Sequence, residues 1–113
     1  MTTKKFKELL VKIRTYNSKA DFDLINKAYR FAVEAHQGQK RLSGEEYILH
    51  PLSVAQSLSD WKLDTVSIVG GLLHDVVEDG GKTLEEVKQK FGEQVEELVD
   101  GVTKIGEFKL RGS

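Results

Sequence analysis

Residues 70–79 read GGLLHDVVED, a stretch that begins as a buried apolar segment and ends with four ionisable side chains. Apolar residues recur along this region at helical spacing, which predicts a core helix. Asp64 is predicted to cap its start, and Gly80 and Gly81 are predicted to end it. The buried side of this helix holds Val66, Val69, Leu72, Leu73 and Val76. The stretch therefore predicts a core helix whose last turn and a half is polar.

The polar end of this helix holds His74, Asp75, Glu78 and Asp79. Three carboxylates this close together repel one another and raise at least one pKa unless a cation is present. Acids at a helix C-terminus also oppose the helix dipole, which weakens a purely structural explanation. An imidazole with carboxylates and no thiolate suits Mn, Fe, Zn or Co. On these residues alone, an ordinary exposed helix end with solvated acids remains an equal alternative.

Gly70 and Gly71 interrupt an otherwise favourable helix, at a cost of roughly 1 kcal/mol each relative to alanine. The usual reason to retain glycine inside a helix is the close approach of another backbone. We therefore expect this face to pack against protein for two turns and then to open into a polar pocket.

The rest of the chain also predicts helices, because a single proline interrupts it and no strand-like alternation appears. An amphipathic first helix holds Phe6, Leu9, Leu10 and Ile13. Later helices are predicted to begin at Asp21 or Asp23, at Pro51, and at the capping box Thr83–Glu86. A last helix after Gly92 is predicted to bury Val95, Leu98, Val99 and Val102, and no periodicity remains from residue 106 onward. The prediction is an all-α bundle of about six helices.

Length and charge set further limits. A chain of 113 residues fits one domain, and its net charge of -1 gives no overall field that favours nucleic acid or a membrane. Without cysteine, any metal site must use nitrogen and oxygen ligands. The sequence shows neither a signal peptide nor an apolar run of about 20 residues, so a cytoplasmic location is expected.

All three histidines are predicted to lie at helix ends. His50 directly precedes Pro51, and an imidazole at a helix N-terminus tends to stay neutral, as a metal ligand must. Together with the adjacent His74 and Asp75, a ligand role for His50 is favoured. For His36 a structural role is favoured, in which its ring orients the following loop or a ligand.

The loop between His36 and His50 offers a guanidinium, a hydroxyl and a phenol, from Arg41, Ser43 and Tyr47. Such a set can hold a phosphate or stack on a base. A solvated surface loop is an equal alternative before any other context.

Two segments of this chain resemble the N-terminal hydrolase domain of the RelA/SpoT family: AHQGQKRLSGEEYILHPLSVA at 35–55 and GGLLHDVVEDGGKTLEEVKQKFGEQVEELVDGVTK at 70–104. The resemblance covers about residues 20–105. It implies an all-helical HD-type phosphohydrolase fold. It also implies Mn²⁺-dependent removal of the 3′-pyrophosphate from guanosine tetra- or pentaphosphate, the alarmone of the stringent response, giving GDP or GTP plus pyrophosphate.

Carried over residue by residue, the resemblance implies three metal ligands, two acids that position or activate the attacking water, and two nucleotide-contacting loop residues. In that order these are His50, His74 and Asp75; Glu78 and Asp79; and Arg41 and Ser43. Two positions depart from the family pattern. Leu42 stands where a basic residue is common, and Glu46 stands where proline is common, which puts nucleotide contacts and loop stiffness in doubt.

The family pattern also has a fourth metal ligand, an aspartate on a later helix, and no residue of this chain matches it. Asp100 belongs to the Val-Asp-Gly segment and is not its equivalent. Residues 1–113 are therefore expected to be the N-terminal portion of the hydrolase domain, without synthetase or regulatory domains. We expect this chain alone to bind metal weakly, to hydrolyse little, and to self-associate through an exposed apolar surface.

Two other functions stay open. One is an HD-type phosphohydrolase with a different substrate, against which the Arg41–Tyr47 loop argues. The other is a degenerate domain with a regulatory or structural role in an alarmone synthetase. Retention of His74, Asp75, Glu78 and Asp79 favours the hydrolase over this second alternative.

Overall fold

The computed structural model describes the backbone of residues 2–40 and 43–112 and the side chains of residues 3–40 and 43–102. Its helices, in chain order, are α1 (Thr2–Tyr16), α2 (Phe22–Ala35), α3 (Leu49–Asp60), α4 (Thr65–Leu73), α5 (Leu84–Phe91) and α6 (Glu93–Gly112). Within the described ranges no strand occurs, although one isolated antiparallel bridge joins Lys40 to Glu46. The all-α prediction with about six helices is confirmed.

Helix α4 lies at the centre of the fold, where it packs against α2, α3 and α6. Every residue from Ile68 to Leu73 is buried. Helix α1 covers α3 from outside, and α5 packs on α6. The stretch after α4 is therefore held at a place where the ends of several helices meet.

The helix starts follow local sequence signals. Asp21, rather than Asp23, caps α2 by accepting a hydrogen bond from the amide of Leu24 at 3.0 Å. Asp64 caps α4 in the same way. Both halves of the capping box between Thr83 and Glu86 form at the start of α5.

Helix α4 ends earlier than the sequence predicts, at Leu73, and residues 74–79 continue as consecutive turns. The amide of Val76 bonds to the carbonyl of Leu73, three residues back, at 3.1 Å. The carbonyl oxygen of Gly71 accepts a hydrogen bond from the imidazole of His74. These contacts replace part of the regular helical pattern, so the predicted polar end of the helix is a tightened turn.

Two further predictions are wrong in detail. In α6, Leu98 is 37% exposed and Val102 is 39% exposed, so only Val95 and Val99 of the predicted set are buried. The helix also continues to Gly112, although no apolar periodicity remains after residue 105. Helical backbone at this end therefore persists beyond the buried stripe.

The glycines of α4 make room for side chains and, at Gly71, also for the backbone of α3, which would lie 3.6 Å from an added Cβ atom. A Cβ atom on Gly70 would clash with the Leu98 side chain, and one on Gly71 would lie 2.6 Å from a methyl group of Leu58. The same surface forms an apolar groove of about 280 Å³ between α3, α4 and α6, with Val102 at its edge. Self-association through an exposed apolar surface stays a prediction. None of the described helices has the length and apolar character needed to cross a membrane.

Candidate metal centre

Three nitrogen and oxygen donors converge where α3 begins and α4 ends. His50 stands in the first turn of α3, His74 directly follows α4, and Asp75 comes next. His74 Nε2 lies 2.9 Å from Asp75 Oδ2, and His50 Nε2 lies 3.4 Å from the same oxygen. The two Nε2 atoms are 3.2 Å apart. The three predicted ligands thus form a compact triangle whose corners are the two Nε2 atoms and Asp75 Oδ2.

The orientation of His74 is set by the backbone of α4. Its Nδ1–H donates to the carbonyl of Gly71 at 2.8 Å. This bond directs Nε2 toward Asp75 and His50, and it leaves Nε2 as the atom available to a metal. The helix end therefore positions the imidazole and determines that Nε2 is the nitrogen facing Asp75 and His50.

The His74–Asp75 pair shifts the pKa of both groups. Burial is the largest influence on the pKa of His74 and lowers it, but the hydrogen bond and charge of Asp75, with smaller contributions from Gly71 and Asp79, outweigh it and raise the pKa. Burial likewise raises the pKa of Asp75, but His74, Tyr47 and His50 outweigh it and lower the pKa. Both shifts favour an imidazolium–carboxylate pair when no metal is bound.

The acid pair lies on the exposed side of this triangle. Carboxylate oxygens of Asp75, Glu78 and Asp79 lie within 4.8 Å of one another. The amide of Asp79 bonds to the carbonyl of Asp75 at 2.9 Å, which places these two residues one turn apart. Asp75 is half-buried, whereas Glu78 and Asp79 are exposed. The more buried acid therefore faces the imidazoles, and the other two face solvent.

Tyr47 joins the triangle to the acid pair. Its hydroxyl lies 2.7 Å from Asp79 Oδ2 and 3.1 Å from Asp75 Oδ2. Burial, followed by the hydrogen bonds and charges of Asp79 and Asp75, raises the pKa of Tyr47, so the phenol stays protonated. The sequence suggested a phosphate or a base as the partner of this phenol, whereas its hydroxyl faces two carboxylates.

His36 and Gln39 support Tyr47 from behind. The buried His36 ring stacks on Tyr47, with centroids 4.4 Å apart and planes 20° apart. Its Nδ1 lies 3.1 Å from Gln39 Oε1, and Gln39 Nε2 donates to the backbone carbonyl of Asp79 at 2.6 Å. His36 therefore lies behind the cluster as an orienting residue and is absent from the triangle of donors, in line with the role favoured from sequence.

Of the two predicted nucleotide-contacting residues, only Ser43 lies within the described residues. Ser43 is exposed in a turn of the loop between α2 and α3, and Arg41 lies outside the described residues. The sequence predicted a phosphate or a base as the partner of Tyr47, and it predicted no specific contact for Gln39. The signal that could have found Tyr47 is its position three residues before His50, about one helical turn, which brings a side chain just before α3 close to one in its first turn.

The donor set fits a single divalent cation. Adjacent ligands at about 2.1 Å from a metal are about 3.0 Å apart in octahedral geometry and about 3.4 Å apart in tetrahedral geometry. The observed separations of 2.9, 3.2 and 3.4 Å span both values. Two imidazoles and a carboxylate therefore provide three positions for one ion, and the triangle does not select its identity.

With this geometry in view, the class of the protein follows from comparison. The profile of the HD domain family matches residues 28–111, which is most of the chain. The chain belongs to the HD domain family. This membership confirms the HD-type all-helical fold that the resemblance implied.

Similar proteins of known name indicate which branch of the HD domain family this chain resembles. The chain is 52% identical over 87 residues to a guanosine-3′,5′-bis(diphosphate) 3′-pyrophosphohydrolase of Aquifex aeolicus, covering 77% of this chain and 12% of that protein. It is 43% identical over 106 residues to the bifunctional (p)ppGpp synthase/hydrolase SpoT of Escherichia coli, covering 94% and 15%. It is 50% identical over 101 residues to a GTP pyrophosphokinase of Myxococcus xanthus, covering 89% and 13%. The resemblance to the RelA/SpoT family is confirmed, and the chain spans about one-eighth of the length of these relatives.

Proposed function

We propose that this chain is the N-terminal portion of a (p)ppGpp hydrolase domain, which removes the 3′-pyrophosphate of the alarmone with the help of Mn²⁺. The convergence of His50, His74 and Asp75 beside a pair of exposed acids carries the proposal. The names of the Aquifex and Escherichia relatives supply the substrate class. A cytoplasmic location belongs to the same proposal, because guanine nucleotides are cytoplasmic metabolites.

The residues divide the chemistry between them. His50, His74 and Asp75 would hold the divalent cation, which would supply polarisation of a phosphoryl oxygen and a lowered pKa for a bound water. Glu78 and Asp79 then orient the attacking water and accept its proton. Their carboxylates lie within 4.8 Å of that of Asp75. One water molecule spans two oxygens up to about 5 Å apart through two hydrogen bonds.

The loop between α2 and α3 supplies the nucleotide contacts in this proposal. Ser43 is exposed there, so its hydroxyl is accessible to a ligand. A guanidinium such as that of Arg41 suits bidentate contact with phosphate or with a guanine edge. We expect Arg41→Ala to raise KM for ppGpp with a smaller change in kcat, because this contact exists in the ground state as well as in the transition state.

A second candidate function is a regulatory role within an alarmone synthetase. One observation favours it: the Myxococcus relative, 50% identical to this chain, bears the name of a GTP pyrophosphokinase. In that case the HD fold transmits a signal and does not hydrolyse. The intact set of ligands and acids supports the hydrolase instead, because a purely structural domain has no need of an exposed acid pair beside two imidazoles.

The test measures pyrophosphate release from ppGpp, with and without Mn²⁺, in the 113-residue chain and in the longest natural form of the protein. We expect Mn²⁺-dependent release by the longest form and little release by the chain alone. In the longest form, His74→Ala removes a ligand and is expected to lower the rate by more than the tenfold to hundredfold typical of residues that only support ligands. Tyr16→Phe, which removes a hydroxyl bonded to Leu63 in another region, is the matched control.

A longest form that hydrolyses no ppGpp with Mn²⁺ would contradict the hydrolase proposal. If the same protein synthesised the alarmone and His74→Ala altered that synthesis, the regulatory function would replace it. Clear Mn²⁺-dependent hydrolysis by the 113-residue chain would contradict the view that further residues complete the site.

A further inference from the structure

The contacts of Tyr47 indicate a role for this residue in addition to the roles of the predicted metal ligands and of the acid pair. We propose that Tyr47 is a positioning residue that holds Asp79 beside Asp75, and that His36 and Gln39 fix the Tyr47 ring in place. This inference rests on the proposed function, because it assumes that Asp75 binds a metal and that Asp79 handles water.

The hydroxyl of Tyr47 has one proton for two carboxylates. The contact of 2.7 Å to Asp79 Oδ2 and the contact of 3.1 Å to Asp75 Oδ2 share this proton, so the hydroxyl bridges the two carboxylates. Without Tyr47, two carboxylates at this separation move apart by repulsion. The phenol therefore sets the distance between the metal ligand and the acid that faces solvent.

The Tyr47 ring cannot swing freely, because aromatic neighbours hold two sides of it. Its face stacks on His36 at 4.4 Å, and its edge meets the His50 ring at 6.2 Å in a T-shaped contact. Stacked and T-shaped ring pairs at these distances are favourable beyond simple burial. The hydroxyl is thus presented to the acids from a fixed direction.

Gln39 closes this arrangement into a ring of contacts that begins and ends at Asp79. Its amide Nε2 donates to the Asp79 carbonyl, so its Oε1 is the acceptor, and Nδ1 of His36 must donate to it. His36 then stacks on Tyr47, and Tyr47 donates to the Asp79 carboxylate. One loop therefore holds both the main chain and the side chain of Asp79.

The second nitrogen of His36 supports a positioning role. His36 Nε2 is buried and finds no hydrogen-bond partner in the part of the chain that the structure describes. A buried polar atom without a partner destabilises the fold, so an apolar ring here would favour stability. What the imidazole provides, and a phenyl ring does not, is the Nδ1 bond that ties the stack to Gln39.

Two measurements on matched variants test the proposal without relying on hydrolysis. Tyr47→Phe keeps the stacked ring and removes only the hydroxyl, while Tyr16→Phe removes the structural hydroxyl that donates to Leu63. In the longest natural form, we expect Tyr47→Phe to weaken Mn²⁺ binding by roughly tenfold to a hundredfold, as loss of a group that supports a ligand does. Tyr16→Phe is expected to leave Mn²⁺ affinity within about twofold of the wild type, measured by isothermal titration.

The second measurement uses the metal-free 113-residue chain. A double-mutant cycle of Tyr47→Phe and Asp79→Ala, followed by urea unfolding, isolates their interaction. We expect a coupling of about tenfold in the unfolding equilibrium constant, which is the effect of a hydrogen bond to a charged group. His36→Phe, which retains the stack and loses the Nδ1 bond, is expected to restore part of the Mn²⁺ affinity that His36→Ala loses.

The outcomes separate this inference from the proposed function. Mn²⁺ affinity of Tyr47→Phe within twofold of the wild type, or a coupling below twofold, would overturn the positioning role. Wild-type protein that binds Mn²⁺ in a Tyr47-dependent way but releases no pyrophosphate would overturn the proposed function alone. Absence of Mn²⁺ binding by the wild-type longest form would overturn both.

Discussion

The glycine that follows the acid pair gives the sharpest structural prediction. A Cβ atom added to Gly80 would lie 2.8 Å from the carbonyl oxygen of Val76 and 2.9 Å from Cβ of Ala35. Real Cβ atoms are not found this close to such neighbours. One neighbour is backbone and the other is the first atom of a side chain on α2, so neither can rotate away. Gly80→Ala therefore has to move the turn that carries Asp79 away from α2.

The cost follows from this lack of space. Overpacking of this kind typically destabilises by about 1–3 kcal/mol. Gly80 lies outside α4 and α5, so alanine gains no helix propensity that could offset the cost. At about 4 °C per kcal/mol for a domain of this size, the midpoint of thermal unfolding should fall by roughly 4–12 °C. The same displacement lengthens the bond from Gln39 to the Asp79 carbonyl, so Mn²⁺ affinity should fall as well.

Two other glycines are matched controls for urea unfolding and Mn²⁺ titration. Gly101, within α6, has no atom within 4 Å of an added Cβ, so Gly101→Ala should stabilise by about 1 kcal/mol. Gly81 has equal space but φ +72°, so Gly81→Ala should cost about 1 kcal/mol through its backbone and leave Mn²⁺ affinity unchanged. The reasoning fails if Gly80→Ala unfolds at the wild-type urea concentration, or if Gly81→Ala weakens Mn²⁺ binding as much as Gly80→Ala does.

Three further predictions concern titration, capping and surface charge. Mn²⁺ affinity should fall as pH falls, because the raised pKa of His74 means that the ion displaces a proton; titration in buffers of different ionisation enthalpy measures that proton. In the metal-free chain, His74 contributes stability fully below its unfolded pKa of 6.5, and the contribution is lost as pH rises through the higher folded pKa. Asp75 contributes stability above its unfolded pKa of 3.8, and the contribution is lost as pH falls through the lower folded pKa. The pair should therefore contribute most between the two unfolded pKa values, 3.8 and 6.5. Urea unfolding at a series of pH values measures this contribution. Thr83→Ala should cost about 1 kcal/mol in urea unfolding without changing Mn²⁺ affinity, because it removes the α5 cap. Asp60→Asn should change the free energy of unfolding by less than about 1 kcal/mol, because its ion pair with Lys12 is exposed.

Local signals account for the parts of the fold that the sequence predicts well. A cap such as Asp64 or Thr83 acts on an amide three residues away, so its effect is visible within one turn of sequence. The apolar residues of α4 likewise identify it as a core helix. A helix that is buried on every side is visible in the sequence as a nearly continuous run of apolar residues. These features depend on neighbours in sequence, and a single sequence contains them.

The errors arise where a distant element decides the outcome. The apolar period of α6 predicted that Leu98 is buried, but whether it is covered depends on which helices reach it. The end of α4 at Leu73 depends on the imidazole of His74, which turns back to the carbonyl of Gly71 and toward Asp75. A helical wheel assumes regular helix geometry and does not consider hydrogen bonds between a side chain and the backbone, so it could not predict this early end.

The candidate site was predicted in its composition but not in its connections. Adjacency and one-turn spacing grouped His74, Asp75, Glu78 and Asp79. The position of His50 at a helix start already favoured it as a ligand, and the family resemblance implied the same role. The contact between Tyr47 and Asp79 joins residues 32 positions apart, and that between Gln39 and Asp79 joins residues 40 positions apart. Such pairs follow from the packing of α2, α3 and α4, which periodicity does not specify.

A single oxygen, Oδ2 of Asp75, lies at the centre of the polar contacts in this cluster. His74 Nε2, His50 Nε2 and the Tyr47 hydroxyl all lie within 3.4 Å of it. When no ion is bound, the raised pKa of His74 favours a proton on Nε2, and that proton neutralises the carboxylate. An ion held by His50, His74 and Asp75 would take the place of that proton. The charge at this oxygen would then be balanced in both states, so we expect the triangle to keep its shape when an ion binds.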